Sequence, residues 1–259
     1  MSRSARVNYD KIADRYDSQP FRSKSPDPEL LAFLRERPPR RLMCVLDIAC
    51  GTGNQLIANR AAAPEALLVG VDASLGMLRQ ARTKGPNIIW LQGDAVALPF
   101  NTGSFDFISC QFAFHHFRDK AAMLCEAFRL LRPRGRFVLH NMCPEECPDW
   151  IYYENFPAAR AADAKDFWPV TLLTATMKEA GFPSVTVAYE HIRSERNLSD
   201  WFPRLKRRDI CSQLQAIPDV EYEAGLRRVN AELADPNAPQ VRADHLCLVT
   251  IRGEAGVAH

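Results

Sequence analysis

The stretch with the clearest chemical potential is Val45-Leu-Asp-Ile-Ala-Cys-Gly-Thr-Gly-Asn54. An apolar run leads into Gly51-Thr-Gly53 and a helical pattern follows. Glycines there let the main chain approach a ligand closely, and the start of a helix offers free N–H donors. A G-x-G turn alone also opens nicotinamide sites. Two residues argue against that use. The third glycine of a dinucleotide fingerprint is replaced by Leu56. Asp47 ends the run just before the glycines, where a carboxylate repels a pyrophosphate and attracts an ammonium or sulfonium group. Asp47 could equally fix the loop by accepting backbone N–H bonds.

Two more acids stand at the ends of neighbouring apolar runs. Asp72 lies about 20 residues after the glycines, where a carboxylate can take both hydroxyls of a ribose. Ser74 and Met77 follow, placed to border an adenine. Asp94, in Gly93-Asp94-Ala95, can accept from the exocyclic amine of that base. Three acids at three strand ends suit a cofactor that is cationic and rich in donors. A further run enters Gln111-Phe-Ala-Phe-His-His-Phe117. Gln111 and Phe112 are expected near the amino-acid half of such a cofactor, and His115 is the candidate to face a second substrate. Either His115 or His116 could instead be a loop-packing residue. Tyr16 is a candidate for orienting that substrate, with helix packing as its alternative role. His140 and Asn141 could reach the floor of the site. The aromatic residues Trp150, Tyr152, Tyr153, Phe156, Phe167 and Trp168 could wall a pocket or form plain core.

The elements that must position these groups alternate in type. Strands are expected at Cys44–Ala49, Leu67–Asp72, Ile88–Leu91, Phe105–Gln111, Arg136–His140, Ser184–Tyr189 and His245–Ile251. Helices are expected at Asn54–Ala63, Ser74–Thr83, Lys120–Leu131 (closed by Pro133 and Gly135) and Thr171–Ala180. Such alternation gives βαβ units and a parallel sheet. Tyr9, Ile12, Ala13 and Tyr16 share one helical face. The N-terminal segment 1–39 is read as a lid. Segment 193–244, with helical patterns around Leu198–Leu214 and Val220–Leu233, is read as a helical cap. Neither is read as rich enough in apolar residues for a core of its own, so a single domain is expected.

The chain has 259 residues, 47% hydrophobic and 25% charged, with a net charge of +2. That balance offers no electrostatic footprint for nucleic acid, and the basic run Trp201–Arg208 reads as a solvated helix face, with a cap that could meet an anionic acceptor as its alternative. No apolar run approaches the roughly 18 residues of a membrane span, and Met1–Asp10 lacks a secretory pattern, so a cytoplasmic location is expected. The eight cysteines read as buried or incidental thiols. Cys143 and Cys147 form a C-x3-C pair with no second pair at metal spacing, so no metal is expected.

VLDIACGTGN, VGVDAS, GDAVALPF, FDFISCQFAFHHF and LLRPRGRFVL resemble, in order and spacing over Val7 to Phe137, the successive motifs of class I S-adenosylmethionine-dependent methyltransferases of the ubiquinone/menaquinone-methyltransferase-like superfamily. The resemblance implies a Rossmann-like doubly wound α/β fold with seven strands in the order 3-2-1-4-5-7-6, the seventh antiparallel. It implies S-adenosylmethionine as cofactor, contacted by Gly51, Gly53, Asp72, Asp94 and Ala95. The expected set also includes Tyr9, Asp47, Ala49, Ala73, Met77, Gln111 and Phe112. Tyr9-Asp-Lys-Ile-Ala-Asp-Arg-Tyr16 is similar to the family's Y-D-x-x-A-x-x-Y element, which folds over bound cofactor.

The function expected is methyl transfer to a small-molecule acceptor by in-line displacement, with His115 and Tyr16 as catalytic candidates. The protein is expected to be a monomer or homodimer. The alternatives are a degenerate domain acting as a cofactor-binding scaffold, and an enzyme acting on RNA or protein. Neither the acceptor nor the acceptor atom is given by these residues.

Overall fold

Strand β1, Cys44–Ile48, is buried at every position, as a strand covered on both faces must be. It lies between β2 (Leu67–Asp72) and β4 (Phe105–Gln111), both parallel to it, and β2 pairs in parallel with β3 (Ile89–Gln92). Strands β5 (Leu131–Met142), β6 (Ser184–Asn197) and β7 (Val241–Glu254) complete the sheet. Its order is β3-β2-β1-β4-β5-β7-β6, with β7 antiparallel. This is the doubly wound seven-stranded arrangement expected from the sequence. The computed structural model describes residues 8–18, 22–37, 41–208 and 211–257. Residues 1–7, 19–21, 38 and 39 of the expected lid, with Val7 of the motif series, lie outside them, as do 209 and 210 of the expected cap.

The helices are α1 (Ala13–Tyr16), α2 (Pro28–Glu36), α3 (Asn54–Ala62), α4 (Leu75–Lys84), α5 (Lys120–Leu130), α6 (Ile151–Asn155), α7 (Pro157–Asp166), α8 (Val170–Glu179), α9 (Leu198–Leu205), α10 (Ser212–Ala216) and α11 (Asp219–Ala234). Their starts follow local chemistry. Ser74 accepts from the Met77 amide ahead of α4, and Asp119 from the Ala122 amide ahead of α5. Asp27 caps α2 by accepting from the Glu29 amide, with Pro28 pre-set in the first turn. Helix α2 carries Leu30 and Phe33 into the core. Its start signal, Asp-Pro, was present in the sequence but was not read as a helix.

Three strands are longer than expected. β5 begins at Leu131, directly after α5, so Pro133 and Gly135 lie within the strand and do not close a helix. Phe105 pairs with Leu131 but Phe107 with Arg136. The extra residues bulge outward, with Arg134 at φ 64°, and the bulge tolerates a proline that cannot donate. β6 is exposed along nearly its whole length, so no hydrophobic alternation marks it beyond Tyr189. β7 likewise starts earlier, at the exposed Val241.

The chain divides into two compact units. One comprises Tyr9–Asn141, Val170–Ala188 and Thr250 onward. Its core gathers Leu30, Phe33, Val45, Leu56, Leu68, Leu78, Trp90, Phe107 and Val138. The other comprises, among the described residues, Asn8, Met142–Pro169 and Tyr189–Val249. It has a core of its own, in which Trp150, Ile151, Tyr153 and Phe156 join Leu198, Trp201, Leu205, Leu214 and Val229. The residues expected to lack a core therefore obtain one by sharing it with the aromatic segment after β5. That pairing is non-local and leaves no periodic signature in either segment.

Candidate functional site

The glycine loop joins β1 to α3. Ala49, Gly51 and Gly53 all adopt positive φ, at 59°, 55° and 79°. Ala49 in that region is strained, as backbone at functional sites commonly is. The two glycines have different reasons to be glycine. A Cβ on Gly53 would lie 2.3 Å from the Trp90 ring, whereas one on Gly51 would meet nothing within 4 Å. Gly53 is dictated by packing against β3. Gly51 faces open space where a ligand can lie against the main chain.

Asp72, at the end of β2, accepts from the Gly51 amide (2.8 Å) and from the Ser74 amide (2.8 Å). Burial pushes its pKa up against those hydrogen bonds. Two carboxylate oxygens hold about four acceptor positions, so capacity remains for ligand hydroxyls. Asp47 is 2% exposed and accepts from Ser109 Oγ at 2.7 Å. Burial raises its pKa to about 7, opposed by Ser109, with the nearby Asp27 adding to the rise. It is a carboxyl group ready to ionise beside a cation.

The other expected residues are placed less uniformly. Ala73 is exposed, and its carbonyl accepts from Gln92 Nε2. Met77 is 1% exposed and turned into the core, so it presents almost no surface to a ligand. Asp94 is exposed and accepts from its own turn at the Val96 amide, while Ala95 is buried. Phe112 has φ 52° and is 36% exposed. The Lys24 ammonium lies 5.3 Å from the centre of its ring. Burial lowers the Lys24 pKa and Arg22 adds to this, against the pull of Asp47 and Asp27.

The Tyr9–Asp17 segment is held over this region by two of its acids. Asp10 Oδ1 accepts from Ser74 Oγ (2.7 Å) and the Gly76 amide (2.6 Å). Asp17 accepts from Thr52 Oγ1 (2.6 Å) and Asn54 Nδ2 (2.9 Å), at the start of α3, and pairs with Lys84. The Tyr16 ring lies under the Arg22 guanidinium at 3.9 Å. The Tyr9 hydroxyl meets His116 Nε2 at 2.7 Å. Burial raises both phenol pKa values, so both remain protonated donors. His115 and His116 lie on a short 3-10 turn after β4, ring centres 3.9 Å apart. His115 Nδ1 is 3.2 Å from Asn141 Oδ1. Burial and the adjacent His116 push its pKa well below the usual histidine value.

Sequence reasoning quoted Asp10 only as part of the Tyr9–Tyr16 element, and it missed Asp17, Lys24, Asp27 and Ser109. Asp27 ties three elements, α2, β4 and β5, together. Its carboxylate takes the Glu29 amide (2.9 Å), Gln111 Nε2 (3.1 Å) and His140 Nε2 (3.3 Å). Burial opposes its ionisation, but hydrogen bonding to and the charge of His140 lead the effects that lower its pKa. Among the described residues no group of three or more His, Cys, Asp or Glu could hold a metal ion, and no helix is long and apolar enough to cross a membrane.

A doubly wound sheet, a glycine loop with open space above Gly51, and an acid at the tip of the next strand define a nucleoside-binding α/β domain. Residues 45–135 match the family model described as a methyltransferase domain. Relatives named demethylmenaquinone methyltransferase include that of Thermus thermophilus, 38% identical over 42% of this chain and 50% of the relative. That of Beutenbergia cavernae is 30% identical over 77% and 70% respectively. That of Deinococcus radiodurans is 41% identical over 41% of this chain and 44% of the relative, so the chain spans about half or less of the Thermus and Deinococcus proteins. Among solved structures, YcgJ of Bacillus subtilis superposes with a TM-score of 0.60, at 22% identity over 90% of this chain and all of that one. Phosphoethanolamine N-methyltransferase 2 of Haemonchus contortus, solved with S-adenosylmethionine, gives 0.53 at 18% identity, over 97% of this chain and 61% of that one. These structural likenesses carry the fold alone. The chain belongs to the class I S-adenosylmethionine-dependent methyltransferases.

Proposed function

We propose that this protein transfers a methyl group from S-adenosylmethionine to a small-molecule acceptor. The observation that carries the reading is the pairing of Gly51, whose missing side chain leaves open space, with Asp72, whose carboxylate is hydrogen-bonded to the Gly51 amide. When bound, the donor supplies an electrophilic methyl on a positively charged sulfur. The chain's own part is to bind, align and exclude water. Asp72 takes the ribose hydroxyls and Asp94 the base. Asp47 ionises beside the positive end of the amino-acid half, bordered by Gln111 and Phe112. Tyr9 and Tyr16 close from above, Tyr16 orienting the acceptor, and His115 faces it. The similarity to proteins named demethylmenaquinone methyltransferase makes a naphthohydroquinone the first acceptor class to try.

Calorimetry with S-adenosylhomocysteine tests the donor site. Asp72→Ala removes charge-assisted hydrogen bonds of about 1.5–3 kcal/mol, an affinity loss on the order of ten- to a hundredfold. Transfer of a labelled methyl group to 1,4-naphthohydroquinone tests the acceptor class. His115→Ala should lower turnover while leaving S-adenosylhomocysteine binding unchanged. No binding of S-adenosylhomocysteine by the wild type at millimolar concentration would refute the assignment.

A further inference from the structure

One polar row crosses the sheet near the carboxyl ends of its central strands. Asp47 of β1 is in register with Ser109 of β4, and Gln111 of β4 with His140 of β5. His140 in turn meets Thr250 of β7, its Nδ1 lying 3.0 Å from Thr250 Oγ1. Its Nε2 lies 3.3 Å from Asp27 Oδ2. The Asp27 carboxyl is sealed, with a side chain 1% exposed, whereas the imidazole is 18% exposed. Thr250 is half-buried.

We propose that Thr250, His140 and Asp27 form a hydroxyl–imidazole–carboxylate relay that removes a proton from an acceptor bearing a phenolic or enolic hydroxyl. The inference rests on the methyltransferase reading above and deepens it, by naming the proton acceptor and the acceptor's chemical class.

The hydrogen-bond directions follow from the partners. An ionised carboxylate only accepts, so His140 Nε2 donates to Asp27. The neutral ring then has a bare Nδ1, which accepts from the Thr250 hydroxyl. Three donors already satisfy Asp27, and its depressed pKa keeps it ionised, so the proton rests on the imidazole and not on the acid. Gln111 donates to the same carboxylate oxygen and fixes its orientation. The facing charged groups are Lys24 and Asp47, both interacting with Asp27. His115 is a poor store for a proton, because its buried position disfavours the charged form. His140 has a carboxylate behind it to offset that charge.

In the step, the acceptor O–H bond breaks and its proton passes to Thr250 Oγ1. The proton already on that oxygen moves to His140 Nδ1, giving an imidazolium held against Asp27. The electron pair freed on the acceptor forms the bond to the methyl carbon as the carbon–sulfur bond breaks onto sulfur. Where the new bond forms on a conjugated carbon, that carbon's proton later returns to the oxygen, and net release remains one proton.

The directions can be read without any acceptor. Long-range nitrogen–hydrogen NMR of nitrogen-15 histidine-labelled protein should show neutral His140 carrying its hydrogen on Nε2. Asp27→Asn keeps a residue that caps α2 well but removes the charge, and should mix or reverse that preference. An Nδ1–H form in the wild type, or no change in D27N, overturns the relay. With labelled donor and 1,4-naphthohydroquinone, His140→Gln and Thr250→Val should slow single-turnover transfer by about 100-fold or more. S-adenosylhomocysteine affinity should stay within about twofold, and Thr250→Ser should restore the rate. A near-wild-type rate in both variants overturns the proposal while leaving methyl transfer intact. Absence of S-adenosylhomocysteine binding in the wild type removes the methyltransferase reading instead, and the NMR result still decides the relay.

Discussion

Asp10 Oδ1 accepts the Gly76 amide hydrogen at 2.6 Å, so a carboxylate from the N-terminal segment caps the first turn of α4 from 66 residues away. A Cβ on Gly76 would lie 2.9 Å from that oxygen, 3.1 Å from the Asp10 Cα and 3.3 Å from the Ala13 Cβ. Gly76→Ala therefore pushes the segment away without touching the glycine loop. Asp10 is exposed, so solvent screening keeps the contact near 0.5 kcal/mol or below, and global stability should change by less than about 1 kcal/mol. Faster hydrogen exchange at Ala13–Tyr16 in the variant is the expected result.

The two loop glycines should fail differently. Gly51→Ala incurs a left-handed backbone cost of about 1 kcal/mol and fills the space over the loop, so the protein folds but binds S-adenosylhomocysteine weakly. Gly53→Ala drives a methyl into Trp90 at 2.3 Å, so its melting temperature should fall well below that of Gly51→Ala. Trp90→Leu should recover part of the loss in the Gly53→Ala background. Equal melting temperatures for the two alanine variants would contradict the packing account.

Asp47 gives donor binding a pH dependence. Its pKa is raised to about 7 by burial, so it is protonated in the free protein below that pH. A cationic ligand favours the carboxylate. Binding below pH 7 therefore releases up to one proton, and affinity climbs as pH rises toward about 7, then levels. Calorimetry in buffers of different ionisation heat measures the proton directly. Asp47→Asn should abolish both the release and the slope.

The other unit holds a further raised acid. Asp163 is 4% exposed, accepts from the Tyr153 hydroxyl at 2.7 Å, and is pushed by burial from 3.8 to about 7. The folded protein thus binds a proton there that the unfolded chain releases between those values. Its stabilising contribution is complete below about pH 4 and is lost as pH rises to about 7, on the order of 1 kcal/mol per pH unit. Asp47 adds a slope of the same sign. Denaturant unfolding across that range should show a flatter profile for Asp163→Asn than for the wild type.

By itself the sequence determined the strands that are buried on both faces, because apolar runs such as Leu67–Val71, and Val45–Ile48 broken only by Asp47, have few other ways to hide. It also determined the glycine loop and the acid at Asp72, whose spacing is local to one βαβ unit. Strand lengths at β5, β6 and β7 were decided by the fold, since bulged or solvent-facing strands carry no alternation to read. So was the difference between Gly51 and Gly53, which depends on where the Trp90 ring comes to rest. The tertiary structure alone decided the meeting of Asp27, His140 and Thr250. They are far apart along the chain and become neighbours only when a helix cap is laid across strand ends, and no periodicity within any one segment encodes that approach.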